Sequence, residues 1–188
     1  MAIMSPRRDG AGRKLRFLRV LPRPPGLAGA HRATLVAGPV SVPCVLGPAG
    51  IVRRKREGDG GTPAGRFALM GGCFRPDRQP RPVVPVAVRP SRPLDGWCDD
   101  PSRGCYNRPV TLPFPASHER LWREDRLYDV LLVLDYNMWP RRRGAGSAIF
   151  LHVMAKDGTA TAGCVALRPA DLRRLLARLA PGCRLLIG

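Results

Sequence analysis

Proline recurs too often in this chain for a long helix to run through most of its length. The sequence holds 21 Pro and 21 Gly in 188 residues, and a proline inside a helix removes a hydrogen bond and clashes with the preceding turn. The uncharged stretch from Ala33 to Val52 shows the consequence. It is long enough to suggest a membrane span, yet Pro39, Pro43 and Pro48, with Gly38, Gly47 and Gly50, would break such a helix repeatedly. It reads instead as short strands and turns, and no stable membrane span is expected.

Further candidate strands fall at 15–21, 33–37, 40–46, 66–70 and 83–88. The two most apolar, dense in Val, Ile, Leu and Phe, run from Leu127 to Leu134 and from Ser147 to Val153. Residues 89–119, loaded with Pro, Asp, Gly and Arg, show no regular pattern and are long enough for a functional loop. One helix stands out: Pro169 suits its first turn, Asp171 its positive end, and Leu172, Leu175, Leu176 and Leu179 recur at helical spacing up to a stop at Gly182. A last strand, 184–187, closes the chain. The expected fold is mainly β (α+β), a mixed β-sheet or sandwich with the C-terminal helix packed on it. Residues 1–13 read as a flexible basic tail and 14–188 as a single domain.

The formal charge of +18 invites a nucleic-acid reading. Against it, only Lys14, Lys55 and Lys156 are lysines, and the basic residues are spread out except for Arg53-Arg54-Lys55-Arg56 and Arg141-Arg142-Arg143. Aromatics make up 6%, and no nucleic-acid module signature is present. A solvated basic surface that suits an anionic polymer is preferred, with no nucleic-acid partner. The six cysteines form no Cys-x-x-Cys pair and there are three histidines, so no metal site is expected. Cys98 and Cys105 flank a polar loop, and a bridge between them is left open; Cys44 and Cys183 read as small buried hydrophobes. Near the N-terminus, Arg7-Arg8 precede Leu15-Arg-Phe-Leu-Arg-Val-Leu21, too short and too charged for a secretory signal core.

The chemistry concentrates near the C-terminus. His152 closes the apolar run Ser147-Ala-Ile-Phe-Leu-His152, and Cys164 follows a polar return loop within Ala162-Gly-Cys-Val165. A strand and a glycine-positioned cysteine can bring one imidazole and one thiol together, which is what thiol-based acyl transfer requires. Gly163 would let the backbone approach a substrate so that nearby amides face an oxyanion. Taken alone, beside Val165 and Leu167, Cys164 reads as an inert core thiol before it reads as a nucleophile. His118, before Leu121 and Trp122, reads as structural or substrate-lining; Asn107 reads as cleft-lining or as a turn residue. Trp97, Trp122 and Trp139 read as packing residues rather than a sugar platform.

Three segments in order carry a family resemblance. Glu57-Gly-Asp-Gly-Gly-Thr-Pro-Ala-Gly-Arg-Phe67 resembles the Thr-Pro-x-Gly-x-Phe element of L,D-transpeptidase catalytic (YkuD-type) domains. Ser147–His152 resembles their base-bearing strand, and Thr161-Ala-Gly-Cys-Val165 their nucleophile signature. The segments Asp95–Asp100, Tyr106–Pro109 and Ser117–Trp122 resemble connecting segments of one bacterial branch. The resemblance spans roughly 33–187. It implies a cysteine acyltransferase acting on peptidoglycan stem peptides, with Cys164 as nucleophile and His152 as proton acceptor and donor. Gly163, Thr161, His118 and Asn107 would serve the oxyanion or the substrate, and no cofactor would be needed. The commoner signature has His-Gly-Cys where this chain has Ala162-Gly163-Cys164, and often Arg or Asn where Ala166 stands.

The same resemblance implies a periplasmic or cell-envelope location. Positive charge around the cleft would favour stem carboxylates. Two alternatives remain: an L,D-carboxypeptidase or hydrolase using the same pair, and a non-catalytic basic polymer-binding module.

Overall fold

The computed structural model describes residues 14–23 and 29–188; the 1–13 tail lies outside them. In chain order the elements are β1 (Leu15–Pro22), β2 (Arg32–Ala37), β3 (Val40–Val45), β4 (Ile51–Val52), β5 (Thr62–Pro63), β6 (Gly65–Phe74), β7 (Val88–Pro90), β8 (Asp95–Cys98), β9 (Arg108–Thr111), β10 (His118–Arg120), β11 (Val130–Leu134), β12 (Phe150–Val153), β13 (Val165–Leu167), α1 (Pro169–Leu176) and β14 (Leu179–Ile187). The fold is mainly β, with a single short helix among the described residues.

The large mixed sheet runs β11-β12-β13-β3-β2-β1-β14-β6-β7, and a further pairing of β11 with β6 closes it on itself. Side chains alternate across a strand, so each wall strand has an inner and an outer set. The inner set includes Leu18, Val20, Leu35, Leu132, Leu134, Leu151, Val153, Val165, Leu167 and Leu185. These residues form the main core together with Leu172, Leu175 and Leu176 of α1. The outer faces of β11 and β12 contribute Leu131 and Phe150 to a second cluster, joined by Cys164 just before β13. There the small sheet β10-β8-β9 covers the wall and supplies Trp97.

Three expectations are corrected. The helix ends at Leu176, not at Gly182: Leu179 already pairs with Leu15, and β14 runs parallel to β1. Leu179, Leu185 and Ile187 are buried in the sheet, so strand pairing outweighs the helical spacing of one leucine. Gly182, at φ 71, lies within the irregular stretch of that pairing. The strand expected at 83–88 is confined to Val88–Pro90, and Val83 is exposed; Pro82 and Pro85 have no N–H to give a ladder. The patternless region 89–119 holds β8, β9 and β10 in addition to loops.

Candidate active site

Parallel pairing of β12 with β13 sets Leu151 beside Val165 and His152 beside Ala166. Leu151 and Val165 face the inner core. Phe150, His152, Cys164 and Ala166 therefore share the outer face, with Cys164 and His152 at diagonal positions. Both open into one cleft of about 260 Å³ between the wall and the small sheet. Each is nearly buried, Cys164 at 5% exposure and His152 at 3%, and the cleft is what reaches them.

The segment carrying Cys164 is held from several sides. The Phe150 N–H donates to Cys164 Sγ at 3.3 Å, and the thiol donates to the Ala148 carbonyl at 3.2 Å. The Thr161 hydroxyl donates to the Cys164 carbonyl at 2.8 Å and accepts from the Gly163 amide at 3.1 Å. Thr62, fully buried, accepts from the Gly47 amide at 3.0 Å and reaches the same Cys164 carbonyl at 3.5 Å. This is the physical content of the Thr-Pro motif: its hydroxyl ties the loop after β3 to the backbone of Cys164. Gly163 sits at φ 135, and a Cβ there would lie 2.7 Å from the Gly61 carbonyl oxygen. Only glycine fits that approach.

The electrostatics give a neutral pair. Burial pushes the Cys164 thiol up to about 12, and Glu119 adds to this, against the pull of the Phe150 N–H and of Lys55. Burial pushes His152 down to about 4, against the Val153 and Leu127 carbonyls. His152 Nδ1 lies 2.7 Å from the Val153 carbonyl oxygen. A carbonyl only accepts, so Nδ1 carries the proton and Nε2 keeps its lone pair. Tyr128 stands edge-on to the ring, with centroids 5.2 Å apart.

The remaining sequence-derived residues divide. Thr161 lines the cleft, and Gly163 lies in the turn before Cys164. His118 is not among the lining residues: its neighbour Glu119 is, so strand alternation turns His118 away, where Nδ1 meets the Ala116 carbonyl at 2.7 Å. Asn107 is buried, with both ends of its amide committed. Oδ1 accepts from Trp97 Nε1 and the Ala148 amide, while Nδ2 donates to the Tyr136 and Asn137 carbonyls. It is a strut behind the cleft rather than a surface for substrate.

The expected positive charge is not in the cleft either. Glu57, Asp99 and Glu119 line it against a single guanidinium, Arg123. Glu57 accepts from the Tyr106 and Ser147 hydroxyls, and Glu119 accepts from Arg123 at 2.7 Å. Asp99 Oδ1 is buried without a hydrogen-bond partner among the described residues. Sequence reading missed these acids, and it also missed Lys55. Placed in a basic run, Lys55 is buried, pairs with Asp59, and lies with Cε 3.5 Å from where a Gly163 Cβ would be. The basic run Arg53-Arg54-Lys55-Arg56 carries no local mark of which side chain turns inward. All six cysteines are free thiols, Cys98 and Cys105 included. Among the described residues no group of His, Cys, Asp or Glu could hold a metal ion.

Against known families, the profile of the L,D-transpeptidase catalytic (YkuD) domain matches residues 31–187. The chain belongs to this family. Its members are cysteine-dependent transpeptidases that act on peptidoglycan and are typically associated with the cell envelope. No curated protein and no solved structure matches the chain. As a whole, the described part of this L,D-transpeptidase-family chain contains no helix long and apolar enough to cross a membrane.

The depressed His152 makes stability depend on pH. The unfolded ring binds a proton near its ordinary 6.5, the folded one only near 4. Between those values the unfolded state holds more protons, so stability is complete above 6.5 and falls as pH drops toward 4. The expected loss is roughly 3 kcal/mol, or a fall in melting temperature of about 6–12 °C. Thermal melts across that window should show it, and His152→Gln should flatten the curve.

Proposed function

We propose that the chain is a cysteine acyltransferase of cell-wall assembly, an L,D-transpeptidase working at the cell envelope. The observation that carries this reading is a thiol and an unprotonated imidazole on one sheet face, at diagonal positions, opening into one cleft.

The steps follow from the neutral pair. Cys164 Sγ attacks the carbonyl that joins the diamino acid's L-centre to a terminal D-amino acid, and the thiol proton passes to His152 Nε2 as the S–C bond forms. An imidazole held near 4 is a weak base but a strong acid. It therefore gives the proton readily to the departing amine, the C–N bond breaks and a thioester remains. A second stem peptide's amine attacks that thioester, its proton returns through His152 to sulfur, and a cross-link is released. The Thr161 hydroxyl occupies the Gly163 amide, so the oxyanion donor falls to another backbone amide of the turn.

The acids of the cleft favour amine over water as the acceptor. Glu57, Asp99 and Glu119 suit an approaching ammonium, and Asp99 Oδ1 has an unfilled acceptor site. Incubation with defined tetrapeptide muropeptides, followed by product mass analysis, tests the proposal. The expected products are free D-amino acid and cross-linked dimers, or exchange of the terminal residue for an added D-amino acid. Hydrolysed monomers alone would replace the transferase by a carboxypeptidase, and no turnover would overturn both.

A further inference from the structure

Trp139 departs from the packing role expected of it: the side chain is 82% exposed, while Trp97 is buried and Trp122 lies under the Arg75 guanidinium at 3.7 Å. A mobile exposed indole would be unremarkable. This one is held. The Arg108 guanidinium covers one ring face at 4.7 Å from the centroid. Arg108 is itself fixed, donating to the Asn107 carbonyl at 2.8 Å and to the Met138 carbonyl at 2.9 Å. The loop that carries the indole is tied through Asn137, which donates to the Arg142 and Gly146 carbonyls at 2.9 and 2.8 Å.

The platform adjoins the cleft. Met138, the residue before Trp139, packs on the cluster that contains Cys164. The loop ends at Ser147 and Ala148, which line the cleft. Arg108 follows Asn107, which accepts from the Ala148 amide. One substrate could lie in the cleft and extend onto the indole.

We propose that Trp139 and Arg108 form a subsite for a pyranose ring of the glycan strand to which a stem peptide is attached. The inference rests on the peptidoglycan reading of the cleft. A pyranose has a face of C–H groups that stacks on a flat aromatic ring and an equatorial belt of hydroxyls that need partners. The indole offers one open face, and the fixed guanidinium that braces its other face holds the ring ready for stacking. Pre-ordering the ring removes the entropy cost of ordering it on binding.

The experiment compares KM for a free tetrapeptide and for the same tetrapeptide on its disaccharide, in wild type and in Trp139→Ala. Wild type should favour the glycan-linked substrate roughly three- to tenfold, the equivalent of one aromatic contact. In Trp139→Ala the ratio of the two KM values should fall to near one. A ratio that survives the substitution would overturn the proposal.

A second measurement does not depend on turnover. In Cys164→Ala, peptide-free N-acetylglucosamine oligomers should change tryptophan fluorescence saturably, and adding Trp139→Ala should remove the change. A flat titration would overturn the subsite. Absence of turnover together with a saturable titration would overturn the acyltransferase reading of the cleft and leave the subsite standing.

Discussion

Cys164→Ala is expected to lower release of the terminal D-amino acid by at least ~10³-fold, because Cys164 supplies the one thiol among the residues lining the cleft. The substitution also strips partners from the Phe150 N–H and the Ala148 carbonyl. Fold stability should fall by only about 1–2 kcal/mol, a few degrees of melting temperature. Cys164→Ser separates the two effects. Its hydroxyl can serve both backbone partners, so the variant should melt close to wild type while remaining inactive, since an alcohol is far less acidic than a thiol. Muropeptide turnover and thermal melts on the three proteins provide the test, and an alanine variant within tenfold of wild type would remove the sulfur from the mechanism.

Asn107→Ala should show the largest loss of stability in the chain outside the main core. Four hydrogen bonds of 2.9–3.1 Å converge on this one buried amide. Truncation leaves the Trp97 Nε1–H, the Ala148 N–H and two carbonyls without partners, at a combined cost of roughly 4 kcal/mol or about 10 °C of melting temperature. Asn107 also sits at φ 54, a region asparagine tolerates better than alanine. Asn107→Gly isolates the backbone contribution and should recover less than about 1 kcal/mol of the loss.

The damage should reach the chemistry. Ala148, itself at φ 52, is held by Asn107 on its amide, and its carbonyl accepts the Cys164 thiol. Loss of that restraint should lower kcat at temperatures where the variant is still folded. Unchanged kcat with lowered stability would limit Asn107 to the fold.

What sequence disclosed and what it hid have separate physical causes. The apolar runs that became β11 and β12 stood out because both faces of those strands are covered, one by the core and one by the small sheet. Cys164 and His152 were legible through ordered motifs. The sheet β10-β8-β9 was not, because strands of three or four residues carry too little periodicity, and Pro109 sits where only an edge strand accepts it.

Lys55 was hidden by its neighbours. A run of four basic residues reads as solvated, and nothing in it marks the one side chain that turns inward to meet Asp59. Asn107 and His118 each sit in a motif segment next to the cleft. Which way each points depends on strand parity and on partners far away in the chain, and neither is written locally.

Sulfur that stays protonated and enclosed is a poor target for oxidants. Peroxide and disulfide reagents react with thiolate, and their rates follow its population and its access to solvent. With its proton committed to the Ala148 carbonyl, Cys164 would keep its reduced state in surroundings where an ordinary exposed cysteine is consumed. Under the proposed acyl transfer, chemical durability would come from the same enclosure that surrounds the reacting thiol.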